Sequence, residues 1–516
     1  MPSRLAGWLV PAAAVVTWQA LKSAGRLDYE YLPSPREVVA ALWDLTRSGA
    51  LFTDIAHTIG VAAVAVAISL TVGAAFGLAI GLVPEVRRYT MASVDFLRTI
   101  PAVGLVPIAV LSFGPVRTAE IVVATYAALW PVVLHTAAGV AAVHPRQYDV
   151  ARTLHLGRAT AVRKLVIPAA VPAWLVGARM SVTIALLVAI VAEMMMSPHG
   201  LGGGLTASMH ALAPARMWAY ATVCGMLGLM LNAALRRVVR IALPGAPPES
   251  LGDQPTPTPP ITALRGLLPI AALLIAWQLT IAHASLSFPP PDEWLIAIRR
   301  MYDDGVLVPA SLHTLGTYAL GLVWAVIVGA VVGAAIGLSR FVDRALTPAI
   351  DFIAAVPGAA LVPVAVLLLG PGQISGMVAV ALIVSWPILL NTATAMRSIP
   401  MVRLEMSRTI GLSRTQRWVK VILPSLLPGS MLGVRVAASL AVIITLLVDI
   451  FGAGTGLGRL LLESQQRLDA AAAWGLLLLV GLFGYVMSLL LSWLEGSIAG
   501  NALRSTAPVL LIAQRS

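Results

Sequence analysis

Two stretches of this chain run without charge for longer than a soluble fold tolerates. Ile59 to Val83 and Leu315 to Leu338 contain no Asp, Glu, Lys or Arg, and each exceeds the roughly 20 residues that cross a bilayer as a helix. Inside hydrocarbon every backbone N–H and C=O must find a partner within the protein, so a spanning segment is a helix or a strand of a closed barrel. A barrel is written in alternating segments of roughly 10 residues, and these runs do not alternate. Composition agrees: 59% of the 516 residues are hydrophobic and 11% charged, against about 25% charged in a soluble domain. The expected fold class is an all-α polytopic membrane protein embedded in a lipid bilayer.

The net charge of +12 would point to nucleic acid in a soluble protein. Here Arg87, Arg88, Arg146, Arg152, Arg158, Arg163, Lys164, Arg236, Arg237 and Arg240 cluster in every second connection between apolar segments. That asymmetry orients those connections toward the cytoplasm, and no nucleic-acid partner is expected. The single cysteine, Cys224, lies in an apolar run; it allows neither an internal disulfide nor a multi-cysteine metal motif, and no metal site is expected.

The second constraint is a repeat. His57-Thr58 recurs 256 residues later as His313-Thr314. The same offset carries Pro101 onto Pro357, Pro107 onto Pro363, Trp130-Pro131 onto Trp386-Pro387, Pro168 onto Pro424, Arg179 onto Arg435 and Gly200 onto Gly456. The halves are duplicates, taken as 1–243 and 263–516, joined by a Pro- and Thr-rich linker at 244–262 that reads as a semi-rigid spacer. Each half is expected to hold six spans, in the first half 7–23, 59–83, 92–113, 119–143, 173–195 and 217–236, about twelve in all. The start of the chain, Arg4 followed by apolar Trp8 to Trp18, resembles a signal peptide. A similar segment, Leu267 to Trp277, ends in the same Trp-Gln pair, so both are expected to be retained first helices. Six spans per half give both halves one orientation, a pseudo-two-fold axis along the membrane normal, and both termini in the cytoplasm of a cell-membrane protein.

One connection in each half is long and basic. It runs from Asp149 through Ala151, His155 and Gly157 to Pro168, and from Glu405 through Gly411 to Pro424. Each reads as a short helix, a break and a second helix. The acid favours the positive end of the helix dipole, Gly411 permits a turn or a close backbone approach, and the proline fits the start of a new helix. Such an element suits either a plain topology-setting loop or a knob that docks in a groove of a cytosolic partner. Two copies about an axis fit a two-fold partner.

Glu405, Gly411 and Pro424 match, position by position, the "EAA" loop of ATP-binding-cassette importer permeases. The flanking Pro-x-x-x-x-x-Pro runs at 101–107 and 357–363, the Trp-Pro pairs and Gly-Leu-Gly at 200–202 and 456–458 resemble most the nitrate/sulfonate/taurine type. The resemblance spans nearly all of both halves. It implies a tandem duplication of the six-helix type I permease unit, with two separate ATPase subunits docked on the loops. ATP and Mg would sit on those subunits, an extracytoplasmic solute-binding protein would deliver a small solute such as a sulfonate, taurine-like compound or nitrate, and the chain itself would catalyse nothing. The first half departs from the pattern: Asp149 replaces Glu, and His155 stands at the Gly position with Gly157 two residues on. Neutral drift in a duplicate and unequal coupling of the halves are the two alternative readings of that departure.

No phosphate-binding loop is present, since Gly200–Gly204 and Gly452–Gly458 lack the Gly-Lys-Ser/Thr ending. Glu193 and Asp449 are equivalent acids near the outer end of the fifth span. Buried charge is costly in a membrane, so they read as helix-end hydrogen bonds or as gating and substrate contacts on the translocation pathway. Pro101, Pro107, Pro357 and Pro363 are expected to break the third span and line that pathway. Arg98 and His135 face Ala354 and Asn391 in the repeat, which could make a substrate site one-sided. A secondary transporter with parallel repeats is the alternative; it is disfavoured by the duplicated loop and by the lack of paired intramembrane acids. A membrane enzyme is disfavoured because no His/Asp/Glu cluster is evident at either face.

Overall fold

The computed structural model describes residues 2–242, 264–281, 287–370, 372–452 and 454–513; the linker expected at 244–262 lies outside them. The first half contains α1 (Pro2–Ser23), α2 (Pro35–Arg47), α3 (Ala50–Leu82), α4 (Pro84–Leu97), α5 (Ala102–Phe113), α6 (Arg117–Ala141), α7 (Pro145–Thr153), α8 (Arg158–Ala161), α9 (Ile167–Met196), α10 (Gly200–His210) and α11 (Pro214–Ala242). The second half repeats the order with α12 (Leu268–Thr280), α13 (Pro291–Asp303), α14 (Leu307–Leu338), α15 (Arg340–Ala355), α16 (Gly358–Leu369), α17 (Gln373–Arg397), α18 (Met401–Thr409), α19 (Arg414–Arg417), α20 (Leu423–Phe451), α21 (Leu457–Gln466) and α22 (Ala470–Ala513). Every element in the second half is therefore the counterpart of the one eleven places earlier.

Among the described residues eight helical runs are long and apolar enough to cross a membrane: α3, α6, α8–α9 and α11, with α14, α17, α19–α20 and the Ala470–Glu495 part of α22. A ninth is reached only by joining α4 to α5, which meet at 87°. Of the six crossings expected per half, four are full-length helices, the third is divided, and the first has 22 residues in α1 but 13 in α12. The third segment is not one kinked span. The chain turns at Arg98–Ile100 and restarts after Pro101, which lacks an N–H to continue a helix. Pro107 and Pro363 lie inside α5 and α16 and break neither. The first helix of the second half, α12, has 13 residues, too few to span about 30 Å at 1.5 Å per residue.

Amphipathic α2 and α13 fill what reads in the sequence as loop. Ser34 caps α2: its hydroxyl accepts from Glu37 N (3.2 Å), and the Glu37 carboxylate accepts from Ser34 N (2.7 Å), a reciprocal box that satisfies two helix-end donors. The Trp-Gln pair explains why it recurs. Gln19 accepts from Arg36 N and Gln278 from Asp292 N, both at 3.1 Å, tying each first helix to the start of the amphipathic helix that follows it. Trp18 packs on Trp218 (5.6 Å) and Trp277 on Trp474 (4.8 Å).

The core of each half is a helix triplet, α3–α6–α9 and α14–α17–α20. Gly73, Gly77 and Gly81 of α3 face Val132, Val133, Thr136 and Val140 of α6, and Gly329, Gly333 and Gly337 of α14 face Ile388, Leu389, Thr392 and Met396 of α17. In lipid, helix association comes from packing rather than from expelling water, so small residues four apart let two backbones approach closely. A Cβ on Gly77 would lie 2.6 Å from the Val133 carbonyl oxygen, and one on Gly333 would lie 2.5 Å from that of Leu389. Backbone cannot swing aside as a side chain can.

The halves interlock. α1 packs on α15, and the start of the second half, including α12, packs on α4, where Ser93 donates to the Gly266 carbonyl at 2.7 Å. Val103 of α5 belongs to the second half's core cluster, and Ala360 and Val364 of α16 belong to the first half's. Gly77→Ala and Gly333→Ala should each destabilise the chain by roughly 1–3 kcal/mol through overpacking, although Ala is intrinsically the better helix former by about 1 kcal/mol. Thermal unfolding of the detergent-solubilised protein measures the sign, and a gain in either variant would show that the close approach is not tight.

Candidate functional site

At the basic end of each half, a short helix leads into the longest span. α7 is capped by His144, whose ring accepts from Arg146 N at 3.2 Å. α18 starts at Met401 behind Pro400, and Ser413 caps α19 through a reciprocal bond with Gln416. The two short helices end identically. His155 N–H donates to the Arg152 carbonyl and Leu156 N–H to Ala151; Gly411 N–H donates to Arg408 and Leu412 N–H to Ser407. This paired ending needs one left-handed residue. It is Gly411 at φ 77° in the second half and His155 at φ 49° in the first. Nothing lies within 4 Å of a Cβ placed on Gly411, so within this chain the glycine serves the turn. His155 makes the same turn at a cost, since a left-handed non-glycine backbone is strained by roughly 1–2 kcal/mol. Gly157, two residues on, precedes α8 with an ordinary extended backbone.

Beyond the turn each chain enters its span through one wide π turn, Val162–Val166 and Trp418–Ile422. Pro168 and Pro424 follow as the second residues of α9 and α20. A proline ring in a regular helix clashes with the carbonyl four residues back, and a widened turn makes room for it. The helix therefore runs unbroken from 158 and from 414, well before the expected start near 173.

Each short helix is held by one face. Ala151 is 6% exposed and Ser407 3%, and Tyr148 and Leu404 pack on the apolar clusters beneath them. The opposite face is bare and apolar: Val150 and Leu154 are 58% and 64% exposed, Met406 and Ile410 52% and 70%. Asp149 and Glu405 lie beside these pairs in solvent, Asp149 3.6 Å from Arg152.

At the opposite end, the residues that set the repeat meet. Thr58 donates to Glu193 Oε2 (2.9 Å) and accepts from Leu201 N (3.0 Å), and Gly202 N also donates to Oε2 (2.9 Å). Thr314 donates to Asp449 Oδ2 (2.6 Å) and accepts from Leu457 N (2.8 Å), with Gly458 N 3.4 Å from Oδ2. Both acids are 0% exposed. Each carboxylate sits on the free N–H groups of the first turn of α10 or α21, where helix dipole and unpaired donors favour an anion. His57-Thr58 and Gly-Leu-Gly, remote in sequence, are two sides of one lock.

The remaining sequence candidates fall as follows. Pro101 and Pro357 precede α5 and α16, the helices at the junction between halves. Arg98 pairs with Asp95 (2.9 Å). His135 and Asn391 each bond the carbonyl of the proline four residues before (2.9 and 2.8 Å), so they do the same work in both halves. Arg179 reaches Asn232 and Arg435 reaches Glu495, both on the last helix of their half. Two expectations need correcting. His57, Glu120 and Glu193 bring ligand atoms within 4.8 Å of one another, so paired intramembrane acids and a His/Glu cluster do exist. Their sequence separation, on three different helices, hid them.

His155→Gly should relieve the strained turn, and Gly411→Ala should introduce it. Amide exchange at Leu156 and Leu412 reads the outcome: slower at 156 in the first variant and faster at 412 in the second, by up to about tenfold per 1.4 kcal/mol. Unchanged exchange at both would mean the turns carry no strain.

Residues 48–245 and 321–500 both match the family described as binding-protein-dependent transport system inner membrane component. Among curated proteins the chain is 32% identical over 196 residues to SsuC of Bacillus subtilis (strain 168), a permease protein assigned to aliphatic sulfonates transport, covering 38% of this chain and 71% of that one. It is 29% identical over 221 residues to the bicarbonate transport system permease protein CmpB of Synechocystis sp. (strain ATCC 27184 / PCC 6803 / Kazusa), covering 40% and 77%. It is 24% identical over 244 residues to the nitrate import permease protein NrtB of the same organism, covering 45% and 88%. Each relative thus spans less than half of this chain with most of its own length. The chain belongs to the binding-protein-dependent inner membrane component family, as a multi-pass permease subunit of an ABC importer that carries two family units and works with a separate ATPase and a solute-binding protein.

Proposed function

We propose that the two halves together form one complete translocation path, so that this chain does alone what two copies of a single-unit permease do together. The observation that carries the reading is the recurrence, in both family units, of a short basic-end helix with the same C-terminal turn and an equivalent bare apolar pair. In this reading α7 and α18 each dock on one of two ATPase subunits, which bind ATP and Mg. Both termini and the 244–262 linker lie on the cytoplasmic side with the arginine-rich connections. A solute-binding protein approaches the other end. α5 and α16, begun by Pro101 and Pro357 and containing Pro107 and Pro363, flank the path. Glu193 and Asp449 act at its outer gate by holding α10 and α21.

The relatives' names specify aliphatic sulfonates, bicarbonate and nitrate, all small oxyanions. A solute of that class, a sulfonate, taurine-like compound or nitrate, is the proposed cargo.

Co-purification with the partner ATPase, followed by its stimulation by the binding protein loaded with candidate oxyanions, tests the reading; failure of any ATPase to co-purify overturns it. Interface hot spots contribute about 2 kcal/mol or more each. Leu154→Asp and Ile410→Asp should therefore each weaken ATPase association by at least about tenfold. Equal losses would show that the halves couple equally, and a loss at Ile410 alone would show that they do not.

A further inference from the structure

The lock around Glu193 and Asp449 is shared by the two halves, but its surroundings are not. Around Glu193 stand Asp54, His57, Glu120 and His199. The positions 256 residues on are Ala310, His313, Gly376 and Thr455. The second copy keeps only the histidine and the acid. The first adds three side chains of metal-binding type at one spot.

The geometry there is compact. His57 Nε2 lies 2.8 Å from Glu120 Oε2, and one ligand atom from each of His57, Glu120 and Glu193 falls within 4.8 Å of the others. Glu120 is 1% and Glu193 0% exposed. Glu193 Oε2 is taken by Thr58 and Gly202, while Oε1 is buried without any hydrogen-bond partner. An orphaned carboxylate oxygen is costly in a low-dielectric site. Among the described residues no lysine or arginine pairs with either glutamate; Arg117, near Glu120 in sequence, lies instead against Gly60. Two carboxylates and an imidazole facing one spot, with no cationic side chain paired with them among the described residues, make a donor set that favours a bound cation.

We propose that His57, Glu120 and Glu193 form a binding site for a divalent transition-metal cation of the zinc class, present in the first half only. Imidazole with two carboxylates is a borderline donor set that suits Zn2+ and not Mg2+ or Ca2+, which take six or more oxygens. Bonds of about 2.0–2.2 Å in a tetrahedral shell put ligand atoms roughly 3.3–3.6 Å apart; here the closest pair is 2.8 Å apart and all three atoms lie within 4.8 Å of one another. His199, exposed and with its ring 6.1 Å from that of His57, stands at the entrance as the candidate fourth ligand. A bound ion would tie together the outer ends of α3, α6 and α9.

Zn2+ alone is the probe. The full-length chain in detergent, stripped with chelator and then incubated with Zn2+, should retain one Zn2+ per chain after gel filtration, measured by mass spectrometry of the metal. Glu120→Gln and His57→Gln should each weaken retention at least about tenfold, whereas Thr455→Ala in the other half should not. Absence of stoichiometric Zn2+ overturns the proposal and leaves a His57–Glu120 hydrogen bond as the content of the site; undiminished retention in a folded variant overturns it too. X-ray absorption of the zinc-loaded wild-type chain decides the matter independently of any variant's folding. One or two imidazoles with oxygen ligands are expected, and a shell of three or more imidazoles, or of sulfur, overturns the assignment.

Discussion

Everything in each half hangs on the approach of one glycine-striped helix to its neighbour. With no Cβ at 73, 77 and 81, α3 lies backbone-close to α6, and Gly177 of α9 meets α6 in turn at the Pro131 carbonyl. In a bilayer, where lipid tails are as apolar as leucine, dense contact of this kind supplies the association energy. It also fixes geometry. Because the three helices are set at close and fixed separations, Thr58 at the top of one reaches Glu193 at the top of another, and both reach the first turn of α10. The same stripe in α14 places Thr314 against Asp449.

The second level of organisation is exchange between halves. α5 inserts Val103 into one core and α16 inserts Ala360 and Val364 into the other. Tyr29 donates to the Leu368 carbonyl and Ser287 to that of Leu111, so the connection after each first helix is fastened to the end of the opposite half's short junction helix. The short, broken third segments are what make this possible. A straight span would run past the junction, whereas a helix restarted after an 87° turn projects into it.

Much of this was legible in the residues. The offset of 256 identified the repeat and paired residues that the structure pairs: His57-Thr58 with His313-Thr314, Glu193 with Asp449. The short basic-end helices were legible because their signals are local: in the second half a proline, an acid and a glycine six residues on. Three features were not. Pro101 announces a break but not its angle, because the turn depends on what the restarted helix packs against. α2 and α13 hid in the gap between apolar runs, although Ser34, Pro35 and Glu37 spell a helix start. The His57–Glu120–Glu193 cluster escaped because its members lie on α3, α6 and α9, and only packing brings them together. His155 is the opposite case: it breaks the sequence pattern, yet the backbone makes the same turn that Gly411 makes.

The exchange of first helices has a consequence for how the chain is made. α1 rests on α15 and the segment leading into α12 rests on α4, two contacts equivalent by the duplication. Synthesis runs from one end, and it treats them differently. When the second first-helix emerges, α4 is already in the membrane waiting for it. α1 has no such partner until α15, more than 300 residues later in the chain. Contacts of such sequence separation form slowly, and the surfaces they leave bare invite wrong partners meanwhile. A molecule with near two-fold symmetry is thus assembled along a path with none, and of the two equivalent helices α1 waits for its neighbour while α12 does not.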